Sequence, residues 1–306
     1  YCGSVLLRRT KSTRQMMSVL VFLPFFCSMA ITNDVALITF VPFAITVLRM
    51  AEQEKLLIPV VALQTLAANL GSMLTPLGNP QNLYLYRLSG LRLSAFLTLM
   101  LPYVLLSGGA LALLLVFRRR ESLRFTPAEV RPGNTRGLLC CALGFVLCML
   151  ALAELLPAPA VAAVVLLFLL FADRGLLRSL DYSLLCTFLA FFVFIGNMER
   201  VEPFRLWLRS TLAGNELPAA VLTSQVISNV PAALLLSGFT SDWRALIVGC
   251  NLGGLGTLIA SMASLISYKQ LAGAYPALRT RYLLYFTLLS LLLLGALYAC
   301  AVLLDG

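Results

Sequence analysis

Gln64–Asn82 reads QTLAANLGSMLTPLGNPQN and continues an apolar helix that starts near Leu56. Asn69, Gly71, Ser72, Thr75, Pro76, Gly78, Asn79 and Pro80 crowd together within it. Glycine and proline break the backbone hydrogen-bond ladder there, and a lipid bilayer holds no water to satisfy the freed groups. Unwound backbone at bilayer depth persists only where protein covers it or where it lines a cavity. A second copy of the pattern lies far downstream at Gly249–Thr257, GCNLGGLGT, inside another apolar run. Two interrupted apolar segments in corresponding halves of a chain point to a transporter's binding site.

Composition sets the solvent. The 306 residues are 60% hydrophobic and 12% charged, with a mean hydropathy of +0.92. Soluble domains are nearer half apolar and a quarter charged, so the chain reads as an all-α, polytopic membrane protein. Its net charge of +10 comes from cations placed between apolar runs. That placement fits membrane topology and gives no reason to expect a nucleic-acid partner. The eight Cys include no C-x-x-C pair and sit mostly in apolar segments, which speaks against a disulfide framework or thiolate metal site. Histidine is absent, which excludes His-based zinc sites, Ser–His–Asp hydrolysis and histidine proton relays within these residues. An intramembrane hydrolase would need a paired acidic metal motif, and none is written here, so an enzyme is not expected.

Working outward, a basic cluster of Arg8, Arg9, Lys11 and Arg14 precedes an apolar stretch interrupted at Ile31-Thr32-Asn33-Asp34. Arg49, Glu52, Glu54 and Lys55 follow it. Charges at both ends predict a re-entrant hairpin over 15–50, made of two helices each too short to span about 30 Å. The broken helix over 56–88 comes next, then a plain span over 95–117. These three form a first inverted repeat over 1–117. Residues 118–136 are a hydrophilic cytoplasmic loop.

The second repeat, 137–306, holds spans over 137–155, 160–172 and 184–196 and an interfacial stretch with Arg200, Arg205, Trp207 and Arg209. A hairpin over 217–240 splits at Ser228-Asn229, a broken helix runs over 245–267, and a span covers 282–304. Residues 268–281 read as a basic loop. An odd number of spans between the copies inverts one relative to the other. Of the 23 Lys and Arg, only Arg87, Arg92, Arg200, Arg205, Arg209 and Arg244 then fall on the outer face, in keeping with the positive-inside rule. The first repeat lacks spans before its hairpin, so the chain reads as amino-terminally incomplete, with two or three more apolar segments expected upstream.

Four polar clusters should converge on a substrate: Thr32-Asn33-Asp34; Asn69, Gly71, Ser72, Thr75, Gly78, Asn79 and Pro80; Ser228-Asn229; and Asn251, Gly253, Gly254 and Thr257. Helix amino-termini offer N–H donors to an anion, while unwound carbonyls and Asn or Ser oxygens suit a small cation. Asp34 admits two readings. It is a coupling site for sodium or a proton, or a hydrated helix cap. Sodium would engage Asn33, Asp34 and Asn229; no other metal or cofactor is expected. Gly249 and Gly253 form a GxxxG, the mark of close helix packing.

ITNDVALITFVPF, ANLGSMLTPLGNPQN, SQVISNVPAALLL and NLGGLGT together resemble the ion transporter superfamily over residues 8–304. Its members include citrate transporter-like permeases, arsenite permeases, divalent anion:sodium symporters and a type of sodium/proton antiporter. The resemblance implies a homodimer in the bacterial inner membrane. A mobile transport domain would carry a small anion past a scaffold in an elevator-like movement. Dicarboxylate symporters of this superfamily carry Ser-Asn-Thr at both hairpin tips, whereas here the tips are Thr32-Asn33-Asp34 and Ser228-Asn229-Val230. The Asn-Asp tip is more similar to the arsenite permease and antiporter branches, which leaves sodium/proton antiport as the alternative function.

Overall fold

The computed structural model describes residues 10–118, 120–122, 135–152, 155–172, 175, 177, 182–198 and 200–305. Helices account for nearly all of them, and they hold no strand beyond an isolated bridge between Ser12 and Ser122. In chain order the helices are α1 (Thr13–Cys27), α2 (Asn33–Met50), α3 (Leu57–Ser72), α4 (Pro80–Ser89), α5 (Leu93–Val116), α6 (Thr135–Leu152) and α7 (Ala158–Ala172). There follow α8 (Tyr182–Met198), α9 (Glu202–Leu212), α10 (Glu216–Ile227), α11 (Asn229–Ser237), α12 (Trp243–Leu252), α13 (Met262–Ala274) and α14 (Arg279–Asp305). Residues 129–190 form one compact unit and residues 2–128 with 191–306 form another. In the smaller unit α6 packs on α7. All four polar clusters belong to the larger unit.

Its centre is α3. Every residue from Val60 to Ser72 is buried, as expected of a helix that is apolar on all sides. α1, α2, α5, α13 and α14 all pack against it. The outer helices instead expose leucines: Leu105 and Leu113 on α5, and Leu284, Leu288 and Leu292 on α14, each at least 58% accessible. Apolar stripes of that size face lipid rather than water. Asn33–Met50, Glu54–Ser72, Leu93–Val116 and Pro276–Leu304 are long and apolar enough to cross a bilayer.

Both interrupted apolar runs fold as helix–turn–helix hairpins, α1–α2 and α10–α11, and each returns to the end from which it started. Thr13 N–H donates to the Glu121 carbonyl at 3.0 Å, and Lys55 pairs with the Glu121 carboxylate at 2.7 Å. Beyond them, Arg49 donates to the Tyr275 hydroxyl at 3.2 Å, which itself donates to Glu54 at 2.9 Å. These bonds gather the start of α1 and the end of α2 near the carboxyl end of α5. The second hairpin closes on itself through Thr240 Oγ1, which donates to Glu216 at 3.2 Å. Arg244, just after it, lines a shallow pocket with Arg92 at the amino end of α5. The hairpins therefore open toward opposite ends of α5.

Two sequence expectations change. α2 has 18 residues, about 27 Å at 1.5 Å per residue, so only the 15-residue α1 is clearly too short to span. Part of the stretch 268–281 is not loop, since α13 continues to Ala274 and Arg279 already opens α14. Most of the loop 118–136, together with Arg8, Arg9, Asp173, Arg174, Arg178 and Asp181, lies outside the described residues.

Candidate functional site

The two breaks fall where glycine and proline place them. α3 ends at Ser72 and the chain stays non-helical until Pro80 opens α4 from the first position, which needs no N–H. α12 ends at Leu252, and a single 3₁₀ turn, Leu258–Ala260, intervenes before α13. Gly71 is indispensable sterically, because an added Cβ would overlap the Phe25 carbonyl oxygen and approach Ser28 Oγ at 2.7 Å. A Cβ on Gly253 would likewise meet Ser224 Oγ at 2.6 Å, and one on Gly249 would meet the Ala220 Cβ at 2.7 Å. The GxxxG thus seats α10 against α12.

Each hairpin tip reaches its own break. Asn33 Nδ2 donates to Asn69 Oδ1 at 2.8 Å, and Asn33 N–H donates to the Gly78 carbonyl at 3.0 Å. Ser228 Oγ donates to the Ala260 carbonyl at 3.3 Å. The Thr75 hydroxyl donates to the Met29 carbonyl, and the Thr257 hydroxyl to that of Gln225 at 3.4 Å. The pairs correspond when Asn33 is matched with Asn229 and Asn69 with Asn251.

The breaks also reach each other. Asn69 Nδ2 donates to Ser264 Oγ at 3.0 Å, and Ser261 Oγ donates to Asn69 Oδ1 at 3.2 Å. Asn251 Nδ2 donates to Asn82 Oδ1 at 2.7 Å. Asn82 follows Asn69 by the same 13 residues as Ser264 follows Asn251, so the crossing is reciprocal. Ser72 is shared: its hydroxyl accepts from Asn79 Nδ2 at 2.8 Å, and its carbonyl accepts from Asn82 Nδ2 at 3.3 Å. Asn33, Asn69, Ser72, Asn79, Ser228, Asn229 and Asn251 are all buried. Asn79 Oδ1, Asn251 Oδ1 and both polar atoms of the Gln81 amide are buried without a hydrogen-bond partner among the described residues. Buried amides are nearly always paired, and these unpaired atoms lie at or beside the two breaks.

Asp34 is half-buried in the first turn of α2. The cap belongs to its neighbours: Thr32 Oγ1 accepts from Val35 N–H at 3.4 Å, and Asn33 Oδ1 accepts from Asp34 N–H at 2.9 Å. The Asp34 carboxylate is thereby left out of the capping bonds. Gly254 lies against Asn229, where an added Cβ would stand 2.8 Å from Nδ2.

Sequence reasoning missed Gln225, Ser261 and Ser264, and it gave Gln81 and Asn82 no role of their own at the end of the Gln64–Asn82 stretch. Their signal was present as polar residues inside apolar runs next to a break, but no spacing rule says which of them face a second helix. It also missed Gln64, whose Nε2 donates to the Leu20 carbonyl at 2.7 Å. Pro24, four residues on, has no N–H to offer that carbonyl, and Gln64 supplies the missing donor.

Apolar-faced helices around two broken helices with converging polar tips define a polytopic membrane transporter. Comparison with known proteins makes the class specific: the citrate transporter family model matches residues 1–241, and the chain belongs to that family. It is 32% identical over 270 residues to the uncharacterized transporter MJ0456 of Methanocaldococcus jannaschii, covering 86% of this chain and 73% of that one. It is 31% identical over 289 residues to the inner membrane protein YbiR of Escherichia coli, covering 88% and 73% respectively.

Proposed function

We propose that this protein is a secondary active transporter that moves a small carboxylate or oxyanion, of the citrate or arsenite class, across the inner membrane. Transport is coupled to sodium or protons. The observation that carries the reading is the reciprocal crossing of Asn69 and Asn251, with partnerless buried amide atoms on Asn79, Gln81 and Asn251 beside it. Amide groups can donate to an anion and offer oxygen to a cation, and helix amino-termini at Asn33, Pro80 and Asn229 add N–H donors. The site residues are Thr32, Asn33, Asp34, Asn69, Gly71, Ser72, Thr75, Gly78, Asn79, Pro80, Ser228, Asn229, Asn251, Gly253, Gly254 and Thr257. The hairpins, opening toward opposite ends of α5, support two inverted repeats with re-entrant tips. The resemblance to the ion transporter superfamily implies a homodimer that works by elevator-like displacement, and the name of the YbiR relative supports the inner membrane.

Proteoliposomes test the proposal. Labelled citrate and arsenite are offered with and without an inward sodium or proton gradient, and gradient-driven accumulation of an anion is the expected result. A second reading, sodium/proton antiport, is favoured by Asp34, a carboxylate outside the capping bonds, and by the apolar Val230 in the matching position. Sodium-driven proton movement with no anion uptake would establish it in place of the first.

A further inference from the structure

Two arginines far apart in sequence meet at the amino end of α5. Arg92 immediately precedes that helix, Arg244 lies in the first turn of α12, and both line one cavity of about 370 Å³. Neither guanidinium has a hydrogen bond or ion pair among the described residues. No described carboxylate lines the cavity. Asp242, two residues before Arg244, is engaged as the cap of α12 and accepts from Ala245 N–H at 3.0 Å. Ser94 adds a hydroxyl to the wall, and α5 begins with neither a side-chain cap nor an acidic residue in its first turn. Two guanidinium groups held at one cavity repel each other until an anion lies between them, and a phosphate matches their planar, forked donors.

The polar cavity at the other end of α5 shows the contrast. It too is lined by two cations, but Lys55 is paired with Glu121 and Arg118 donates to the Tyr285 hydroxyl. Its charge is already answered from within the chain. At the amino end of α5 the surroundings say where the anion comes from. Ser94, Thr98, Leu101 and Leu105 follow one another at i, i+4, i+7 and i+11, so one face of α5 runs from the cavity wall to leucines that are exposed. α5 is long and apolar enough to cross a bilayer, and Trp243 stands half-buried beside Arg244. Tryptophan concentrates at the headgroup level of a membrane, and arginine reaches for it. We infer that this cavity holds the phosphate of an anionic phospholipid between Arg92 and Arg244, with an acyl chain lying along Leu101 and Leu105. The site is separate from the Asn-lined centre and does not depend on what that centre carries.

Titration of the purified protein with phosphatidylglycerol, phosphatidylcholine or inorganic phosphate tests it, read by native mass spectrometry and by thermal midpoint. Phosphatidylglycerol should be retained, and should raise the midpoint, at concentrations about tenfold below those of phosphatidylcholine, whose choline cation meets the two arginines. The Arg92→Gln/Arg244→Gln double variant should lose that preference. Arg209→Gln, at an exposed arginine that does not line the cavity, should keep it. Thr98→Trp leaves both cations in place and fills the cavity, so it should lose the preference as well, and it decides should the double variant fail to fold. Equal retention of the two lipids by wild type would overturn the inference. So would an undiminished preference in a folded cavity variant, or an equal loss in Arg209→Gln. If neither cavity variant folds, the wild-type comparison decides. Inorganic phosphate that raises the midpoint as far as phosphatidylglycerol at the same concentration would make this a site for free phosphate and overturn the lipid assignment.

Discussion

The two hairpin tips open their second helices with different backbones. Thr32 is relaxed, with φ −67° and ψ 149°, and caps α2 through its hydroxyl. Ser228 has φ +75° and ψ 154°, a region almost reserved for glycine, and makes no cap bond to α11. Asn33 is tied to Asn69, whereas the Asn229 amide lies against Gly254. One tip is thus locally comfortable, charged and bonded to the unwound segment. The other is strained, has no carboxylate and lies close to the segment whose Gly253 and Leu255 carbonyls accept from Gln225 Nε2. Symmetry of fold has not produced symmetry of chemistry, and the strained tip is held by its surroundings rather than by its own sequence.

The comparison breaks most completely if the hairpins do not turn back. Single cysteines at Arg14 and Lys55 should label from one side of the membrane, and those at Glu216 and Asp242 from the other. Labelling from opposite sides within either pair would mean true spans.

Next in size is the loss of the tip asparagines. Asn33→Ala and Asn229→Ala should both abolish uptake. Their stabilities should diverge, because Asn33 is hydrogen-bonded and buried rather than free in a cavity. Removing it should cost about 1–3 kcal/mol, read as a lower thermal midpoint, with a smaller loss at Asn229.

The glycines rank next. Gly71→Ala drives a Cβ into backbone and should cost about 3 kcal/mol, whereas Gly253→Ala meets mainly a serine side chain and should cost nearer about 1–2 kcal/mol. Equal losses would show that the two breaks are equally tight. Asp34→Asn should keep the fold, since Thr32 and Asn33 supply the capping bonds, while flattening the dependence of uptake on sodium or pH. Ion dependence like that of wild type would remove Asp34 from coupling.

The smallest effect tests the strain at Ser228. Glycine should be more stable than alanine there by about 1–3 kcal/mol, because alanine keeps the unfavourable φ. At Thr32 the same pair should differ by less than about 1 kcal/mol. A similar gap at both positions would mean that the Ser228 backbone carries no strain.

Much of this protein was legible in one dimension. Apolar runs too long for a soluble domain, and cations confined to the gaps between them, require helices in lipid. Pro76, Gly78 and Pro80 within five residues weaken a helix wherever it packs, because the missing Cβ or N–H is a covalent fact. The tips at Asn33 and Asn229 follow the same logic, since a polar turn inside an apolar run has few other readings. Those features are local. Tertiary structure alone decided which polar group meets which. Gln64 supplying the donor that Pro24 withholds from Leu20, Asn69 reaching Ser264, Asn251 reaching Asn82 and Gln225 inserting at Gly253 all join residues far apart in sequence. Side-chain amides carry both donors and acceptors and suit many partners equally well, so only the packing of the helices against one another selects the one within 3 Å.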